Sequence, residues 1–370
     1  MNRPAGRVRA AVLAVAVVGI CAGQCAAANL RIYCRDVGQG DATVILTPGN
    51  KAVVIDAGRK NDQGTAIADF IKAQGISRIE YLITTHYHDD HIAGTDTLVG
   101  RFVGTHKGAI AVAYDRGGTY SSTDYSNYVN ALSTYAIPRS TIPVGPLASL
   151  DGVSLTCVCV DGHLLDGRSF TVSDENDRSV GVLVSYKTFD FLILGDAGSK
   201  VEDPLGEMFD GDPGDPIPSE VDVLRVSHHG SKTASSLVYL ERILPEIAVI
   251  SLGDSGTYGP GWNQFGHPAQ ETVDNLYAAG VRHIYQTQEG GPIYSASATP
   301  GRDYQDVDGD GVDDVTFTYA DILIDTDGNT YSVAGDSIGA TDEYEGGGTW
   351  PPEMLPQPLQ IGRASCRERV

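Results

Sequence analysis

The segment Thr85-His86-Tyr87-His88-Asp89-Asp90-His91 concentrates three imidazoles and three carboxylate or hydroxyl-bearing acid and threonine groups just after the apolar run Tyr81-Leu82-Ile83, which reads as a strand. On extended backbone, side chains alternate with a period of two, so His86 and His88 face the same way and can grip one ion together. Asp90 and His91, past the turn, can face a second ion beside it, giving a dinuclear centre with nitrogen and oxygen ligands. Water held between two such ions ionises near neutral pH, and the ions neutralise charge growing on an attacked group. That is hydrolytic chemistry without a protein nucleophile. A solvated histidine-rich loop would have the same local composition, so the elements around the segment decide between the two readings.

Short apolar runs at residues 52–55, 79–83, 180–184, 189–194, 221–226 and 247–250 are rich in Val and Ile, as buried strands are. Residues 64–74 and 269–279 return apolar side chains at helical spacing and are followed by Gly, a stop signal. Mixed strands and helices predict an α/β class. Residues 117–130, rich in Ser, Thr, Tyr and Gly, are expected to form a loop or insertion near the site. Asp56 follows KAVVI, His86 and His88 follow YLITT, Asp196 follows FLILG and His228 follows VLRVS, so each stands at a strand's exit. In open α/β folds ligands bind in the crevice outside strand ends, and residues distant in sequence converge there. Neither a Gly-x-Ser-x-Gly elbow nor a phosphate-cradling Gly-x-x-x-x-Gly-Lys loop is present, which argues against serine hydrolase and nucleoside triphosphatase chemistry.

These motifs together resemble the metallo-β-lactamase superfamily and, within it, the ComEC-like branch, the hydrolase domain of competence proteins and its secreted relatives. The resemblance rests on Asp36-Val37-Gly38-Gln39-Gly40-Asp41-Ala42, Asp56-Ala57-Gly58, the segment from Thr85 to His91, Asn176 with Ser179, Gly195-Asp196, Ser227-His228-His229-Gly230-Ser231, and Asn263 with Gly266-His267-Pro268. It runs from about residue 30 to about residue 333. It implies a four-layer αββα sandwich in which His86 and His88 hold one metal, Asp90 and His91 the other, Asp196 bridges them and His228 completes the second site. Asp56 would orient a ligand histidine; a strand-end Asx turn is the plainer role for the same residue. Asp90, Asp56, His229 and Lys232 are the residues expected to serve catalysis, with His229, Lys232 and His267 set against a substrate anion or else packed at the surface. Asn176, Ser179 and Asn263 would touch substrate or support the site. The branch has Asn176 where the wider superfamily has a third histidine, which makes the first site oxygen-richer. Zinc, as one ion or two, suits the histidines, and manganese would tolerate the added oxygen. The resemblance favours a phosphodiester substrate, such as extracellular nucleic acid, a nucleotide or a phosphorylated envelope component. A lactam, lactone or thioester hydrolase and an inactive secreted binding module are the alternatives.

A second cation signal lies in Asp306, Asp308, Asp310 and Asp314, spaced around glycine like the first half of a calcium loop, with Phe317 in place of the usual closing Glu. Structural calcium and an acidic surface turn fit this pattern equally. At the start of the chain, Arg3, Arg7 and Arg9 precede an apolar run ending at Ile20 and Ala26-Ala27-Ala28, a signal-peptide pattern too short to span a bilayer, so residues 1–28 are expected to direct export. The hydrolase domain is expected over 29–335, with the acidic insertion at 303–314, a Gly/Pro-rich linker over 336–360, and a last ten residues, IGRASCRERV, that read as a sequencing-adapter scar. Setting aside the basic and acidic residues of the two ends lowers 26 basic and 48 acidic residues to 20 and 47, a net charge of −27. Such a field repels long polyanions and argues against tight duplex DNA binding. Outside the ends only Cys34, Cys157 and Cys159 remain. Cys157 and Cys159 are expected on one face of a strand, from which either could pair with Cys34 in an oxidising compartment.

Overall fold

Strands such as Thr43–Leu46, Ala52–Ile55 and Ile247–Ile250 are buried along their whole length and therefore need apolar cover on both faces. The computed structural model of the protein describes residues 29–59, 61–104, 106, 108–210, 217–253, 266–288, 290, 315–318, 320–335 and 342–345. In it, two sheets stack face to face and helices cover each from outside. The expected leader, Asn263, the repeat carrying Asp306, Asp308, Asp310 and Asp314, and residues 346–370 lie outside the described residues. No helix among the described residues is long and apolar enough to cross a membrane.

The first sheet runs, in spatial order, Asp342–Glu345, Thr330–Gly335, Ile322–Thr326, Leu30–Cys34, Thr43–Leu46, Ala52–Ile55, Ile79–Ile83, Ile110–Asp115 and Arg139–Thr141. The second runs Val315–Phe317, His283–Gln286, Ile247–Ile250, Val223–Arg225, Phe189–Ile193, Gly181–Tyr186, Ser154–Val160 and Gly145–Pro146, with His163–Leu164 beside Ser154–Val160. Ile32, Ile45, Val53 and Ile83 meet Val182, Val184, Phe191 and Val249 between the sheets. Alternate residues of the same strands turn outward. Val44, Val54 and Leu82 pack on the helices Asn61–Ala73 and Thr95–Val103, while Leu183, Leu192 and Leu224 pack on Ser199–Gly206, Leu237–Ile243 and Gln270–Ala278. This is the expected αββα order. Each fully buried Val, Leu or Ile stabilises it by ~1.5–3 kcal/mol, enough in sum to hold charge and strained backbone at the sheet edge.

Two expectations are corrected. Residues 117–130 are not a loop throughout, because Thr123–Thr134 is a helix. The Ser122 hydroxyl accepts from the Tyr125 amide at 3.0 Å as an N-cap, and Tyr128 and Leu132, four apart, are buried against the first sheet's outer face. The cysteines are also placed differently: all three are free and buried. The pairing of Gly181 with Cys159 and of Val182 with Cys157 marks a bulge, since one strand advances by one residue and the other by two. Cys157 therefore joins the core between the sheets while Cys159 joins the core under the outer helices.

Glu202, on Ser199–Gly206, is wholly buried, and its Oε2 accepts from the Ser235 amide at 2.5 Å. Burial pushes its pKa from the usual 4.5 up to about 8, against the opposing pull of hydrogen bonds from Ser227 and Ser235. Between those values the folded chain holds a proton that the unfolded chain has released, so stability is greatest at the acid end and falls as pH rises towards 8. Urea unfolding of chelator-treated protein across this range is expected to show a decline of about 1.4 kcal/mol per pH unit from this group, absent in Glu202→Gln. Identical slopes for the two proteins would contradict it.

Candidate metal centre

Parallel pairing of Ala52–Ile55, Ile79–Ile83 and Ile110–Asp115, and of Phe189–Ile193, Val223–Arg225 and Ile247–Ile250, aligns the carboxyl ends of the strands within each sheet. The edges of the two sheets then meet: the Val180 amide, just ahead of Gly181–Tyr186, donates to the Thr85 carbonyl at 2.9 Å, and within the second sheet the His228 amide donates to the Gly195 carbonyl at 3.1 Å. Gly195 permits the approach, because a Cβ there would stand 2.8 Å from Thr85 Cβ. The glycine-rich loop ahead of Thr43–Leu46 seats the other side. Its Asp41 amide donates to the Asp90 carbonyl at 3.0 Å, and a Cβ on Gly40 would fall 2.6 Å from that same oxygen.

Asp56 leaves its strand with φ of 59°, a left-handed backbone uncommon outside glycine. Its carboxylate accepts from the Thr85 amide at 2.8 Å, from Thr85 Oγ1 at 2.7 Å and from His91 Nδ1 at 2.8 Å. Thr85 Oγ1, having donated its proton to Asp56, accepts from His86 Nδ1 at 3.2 Å. His229 Nδ1 donates to the Ser251 carbonyl at 2.8 Å. These partners assign the protons to Nδ1 in all three rings and leave the Nε2 lone pairs aimed inward.

What they aim at is a shared carboxylate. Asp196 Oδ1 stands 3.1 Å from His91 Nε2, and Oδ2 stands 3.9 Å from His86 Nε2, 3.9 Å from His228 Nε2 and 3.7 Å from His229 Nε2. Asp90 Oδ2 lies 3.3 Å from His229 Nε2. His91 Nε2, His229 Nε2 and Asp196 Oδ1 are buried and, with the ring protons on Nδ1, make no hydrogen bond among the described residues. Buried polar atoms are rarely left so, and a lone pair facing a carboxylate is unfavourable unless a cation lies between them. The donor set fits divalent metal: His86, His91 and Asp196 offer ligand atoms within 4.8 Å of one another, as do Asp90, His91 and His229. His88 Nδ1, 3.1 Å from His86 Nε2, extends the first group.

Electrostatics agree with that fit. Burial, reinforced by neighbouring His91, keeps the His86 pKa well below the usual histidine range, so it is a neutral donor. Burial opposes charge on His91 too, but Asp196 and Asp56 outweigh it and lift its pKa well above that range. A second ring proton, on Nε2 facing Asp196 Oδ1 at 3.1 Å, would therefore compete with a metal ion for the same position. Asp56→Ala removes the group that fixes the His91 ring and is expected to weaken metal binding 10- to 100-fold in a competitive chelator titration. An unchanged affinity would make the residue a simple turn former.

The two adjacent histidines are placed differently from expectation. His229, not His228, stands beside Asp90, while His228 turns towards Asn176, whose Nδ2 lies 3.3 Å from His228 Nε2. Both residues have left-handed backbone, with φ of 52° and 53°, which at non-glycine positions costs about 1–3 kcal/mol each. This tight turn swings His228 to the His86 side of Asp196 and His229 to the Asp90 side. Ser179 Oγ accepts from the Asp196 amide at 3.2 Å and so supports the shared carboxylate. Asn176 Oδ1 is buried without a partner among the described residues. Lys232 is exposed on the rim. His267 is buried, its ring centroid 5.7 Å from that of His228. Burial, with His229 and His228 beside it, lowers its pKa to about 4, so at neutral pH it offers a hydrogen bond and no charge to an anion.

Sequence reasoning missed the floor of the site. Arg225 Nη2 lies 2.7 Å from Asp41 Oδ2, and each side chain is 2% exposed. An arginine inside the apolar run VDVLRVS was the available signal.

The sequence profile of the metallo-β-lactamase superfamily matches residues 35–254. ComE operon protein 3 of Bacillus subtilis is 22% identical over 274 residues, covering 70% of this chain and 32% of its own length. Competence protein ComA of Neisseria gonorrhoeae is 26% identical over 247 residues, covering 67% of this chain and 29% of its own. The chain thus spans about a third of the length of these relatives. The solved structure of Tm1679, a metal-dependent hydrolase of the β-lactamase superfamily, overlaps 70% of this chain and 97% of its own at 15% identity, with a TM-score of 0.40. With the profile covering more than half of its residues, and competence proteins among its relatives, the chain belongs to the metallo-β-lactamase superfamily.

Proposed function

We propose that this protein is an exported, metal-dependent hydrolase that cleaves phosphodiester bonds. The observation that carries the reading is the convergence of His91 Nε2, His229 Nε2 and Asp196 Oδ1, buried without hydrogen bonds, at one sheet edge. His86, His88 and Asp196 hold the first ion, with Asn176 and His228 beside it, and Asp90, His91, His229 and Asp196 hold the second. Zinc matches the imidazoles present in both sets, and manganese, which tolerates oxygen donors, is its competitor. Bound together, the ions supply a nucleophile from water at neutral pH and neutralise charge on the attacked group. Asp56 and Ser251 hold the imidazoles in the tautomer that coordinates. The competence relatives favour a nucleic-acid or nucleotide substrate. The net charge of −22 over the whole chain disfavours tight binding along a long polyanion, which favours short substrates.

The test is a substrate panel of bis-p-nitrophenyl phosphate and nitrocefin with zinc, manganese and calcium added separately, using His88→Ala as control. Phosphodiester turnover that the variant loses supports the reading. Turnover of nitrocefin alone moves the protein to lactam chemistry. Metal-free, inert protein makes it a binding module.

A further inference from the structure

We propose that Arg116 and Glu175 are positioning residues for the first metal ion, fixing the distance between its two groups of candidate ligands. The inference rests on the metal-centre reading above. Those groups come from different sheets: His86 and His88 leave Ile79–Ile83 of the first sheet, whereas Asn176 precedes Gly181–Tyr186 of the second. Glu175, next to Asn176, reaches across and accepts from the amide of Tyr87, between the two histidines, at 2.9 Å. Arg116, at the exit of Ile110–Asp115, holds that carboxylate with two hydrogen bonds of 2.7 Å, from Nε to Oε1 and from Nη2 to Oε2.

The Arg116 and Glu175 side chains are only 5% and 10% exposed. Arg116 is itself fixed. Its guanidinium lies 4.0 Å from the Tyr87 ring centroid, and its Nη1 donates at 3.0 Å to the Gly117 carbonyl, which also accepts from the Tyr87 hydroxyl at 3.1 Å. The unit therefore ties the backbone between His86 and His88 to the residue beside Asn176. A guanidinium fork matched to a carboxylate gives direction as well as attraction, and lysine cannot reproduce it. The second ion's candidate ligands have separate supports, Asp56 for His91 and the Ser251 carbonyl for His229. Losing the Arg116 and Glu175 pair is thus a selective loss.

The experiment strips the full chain with chelator, titrates zinc and then cobalt, and follows bound metal by elemental analysis and the cobalt absorption spectrum, with apo-protein melting measured in parallel. Wild type is expected to bind both ions. Arg116→Met and Glu175→Gln are expected to keep one ion at wild-type affinity and to bind the other 10- to 100-fold more weakly. Arg116→Lys, which keeps the buried charge but loses the paired hydrogen bonds, should fold and show the same selective weakening to a smaller degree. Two ions at wild-type affinity in all three variants would overturn the positioning role alone. Equal weakening of both ions in step with a lower melting temperature would reduce the pair to a fold-stabilising contact. A wild type that takes up no metal would overturn the metal-centre reading and this inference together.

Discussion

Asp196→Ala is expected to lower kcat/KM for phosphodiester hydrolysis by at least about 1000-fold, roughly 4 kcal/mol of transition-state stabilisation, and to lower the content of both metals. Its carboxylate stands between the two groups of candidate ligands: Oδ1 is 3.1 Å from His91 Nε2 and Oδ2 is 3.9 Å from His86 Nε2. Burial alone would raise the Asp196 pKa, yet the neighbouring His91 and His229 hold it well below the usual carboxylate range, so the group is an anion. Alanine removes that anion and leaves several inward-facing imidazoles with no shared partner. Metal content by elemental analysis and kinetics on bis-p-nitrophenyl phosphate check the expectation. Retention of both metals with near-normal turnover would show that the carboxylate does not bridge them. His228→Ala should be milder in metal content than His229→Ala, because His229 also faces Asp90 at 3.3 Å.

Arg225→Met is expected to destabilise the fold by about 3–5 kcal/mol, read as a large shift of the urea midpoint. Arg225 lies on Val223–Arg225 within the second sheet, paired on one side with Ile193 and on the other with Val249. Asp41 comes from the loop ahead of Thr43–Leu46 in the first sheet, so their contact ties the two sheets below the metal centre. Its carboxylate is also within 4.8 Å of ligand atoms of Asp56 and His91. Removing the guanidinium strands a buried carboxylate beside another, which is the costly way to break a buried pair. Arg225→Met combined with Asp41→Asn removes both charges and should recover most of the lost stability. If the double variant is no more stable than Arg225→Met, the defect is packing around the arginine stem and not unpaired charge.

The αββα order was legible because strands buried on both faces leave near-continuous apolar runs, and the polar residues following those runs marked the edge where they meet. Residues 52–55, 79–83 and 247–250 recur as the strands Ala52–Ile55, Ile79–Ile83 and Ile247–Ile250. The helix Thr123–Thr134 was obscured by its Ser, Thr and Tyr content. Its start could have been read from Ser122 and the i, i+4 pair Tyr128 and Leu132. The two faces of Cys157 and Cys159 had no such signal, since the bulge is set by how Gly181 and Val182 pair across the sheet.

By itself the sequence determined which chemical groups stand at the strand exits: imidazoles at 86, 88, 91, 228 and 229 and carboxylates at 56, 90 and 196. Residue type and the two-residue period of a strand are local properties, and they are written in the chain. Only the tertiary structure decided which of His228 and His229 turns towards Asp90, that Glu175 reaches the Tyr87 amide, and that Arg225 neutralises Asp41. Each of these depends on the backbone of one sheet meeting side chains of the other, and the relative placement of two packed sheets is fixed by their whole shared core and not by any local run of residues.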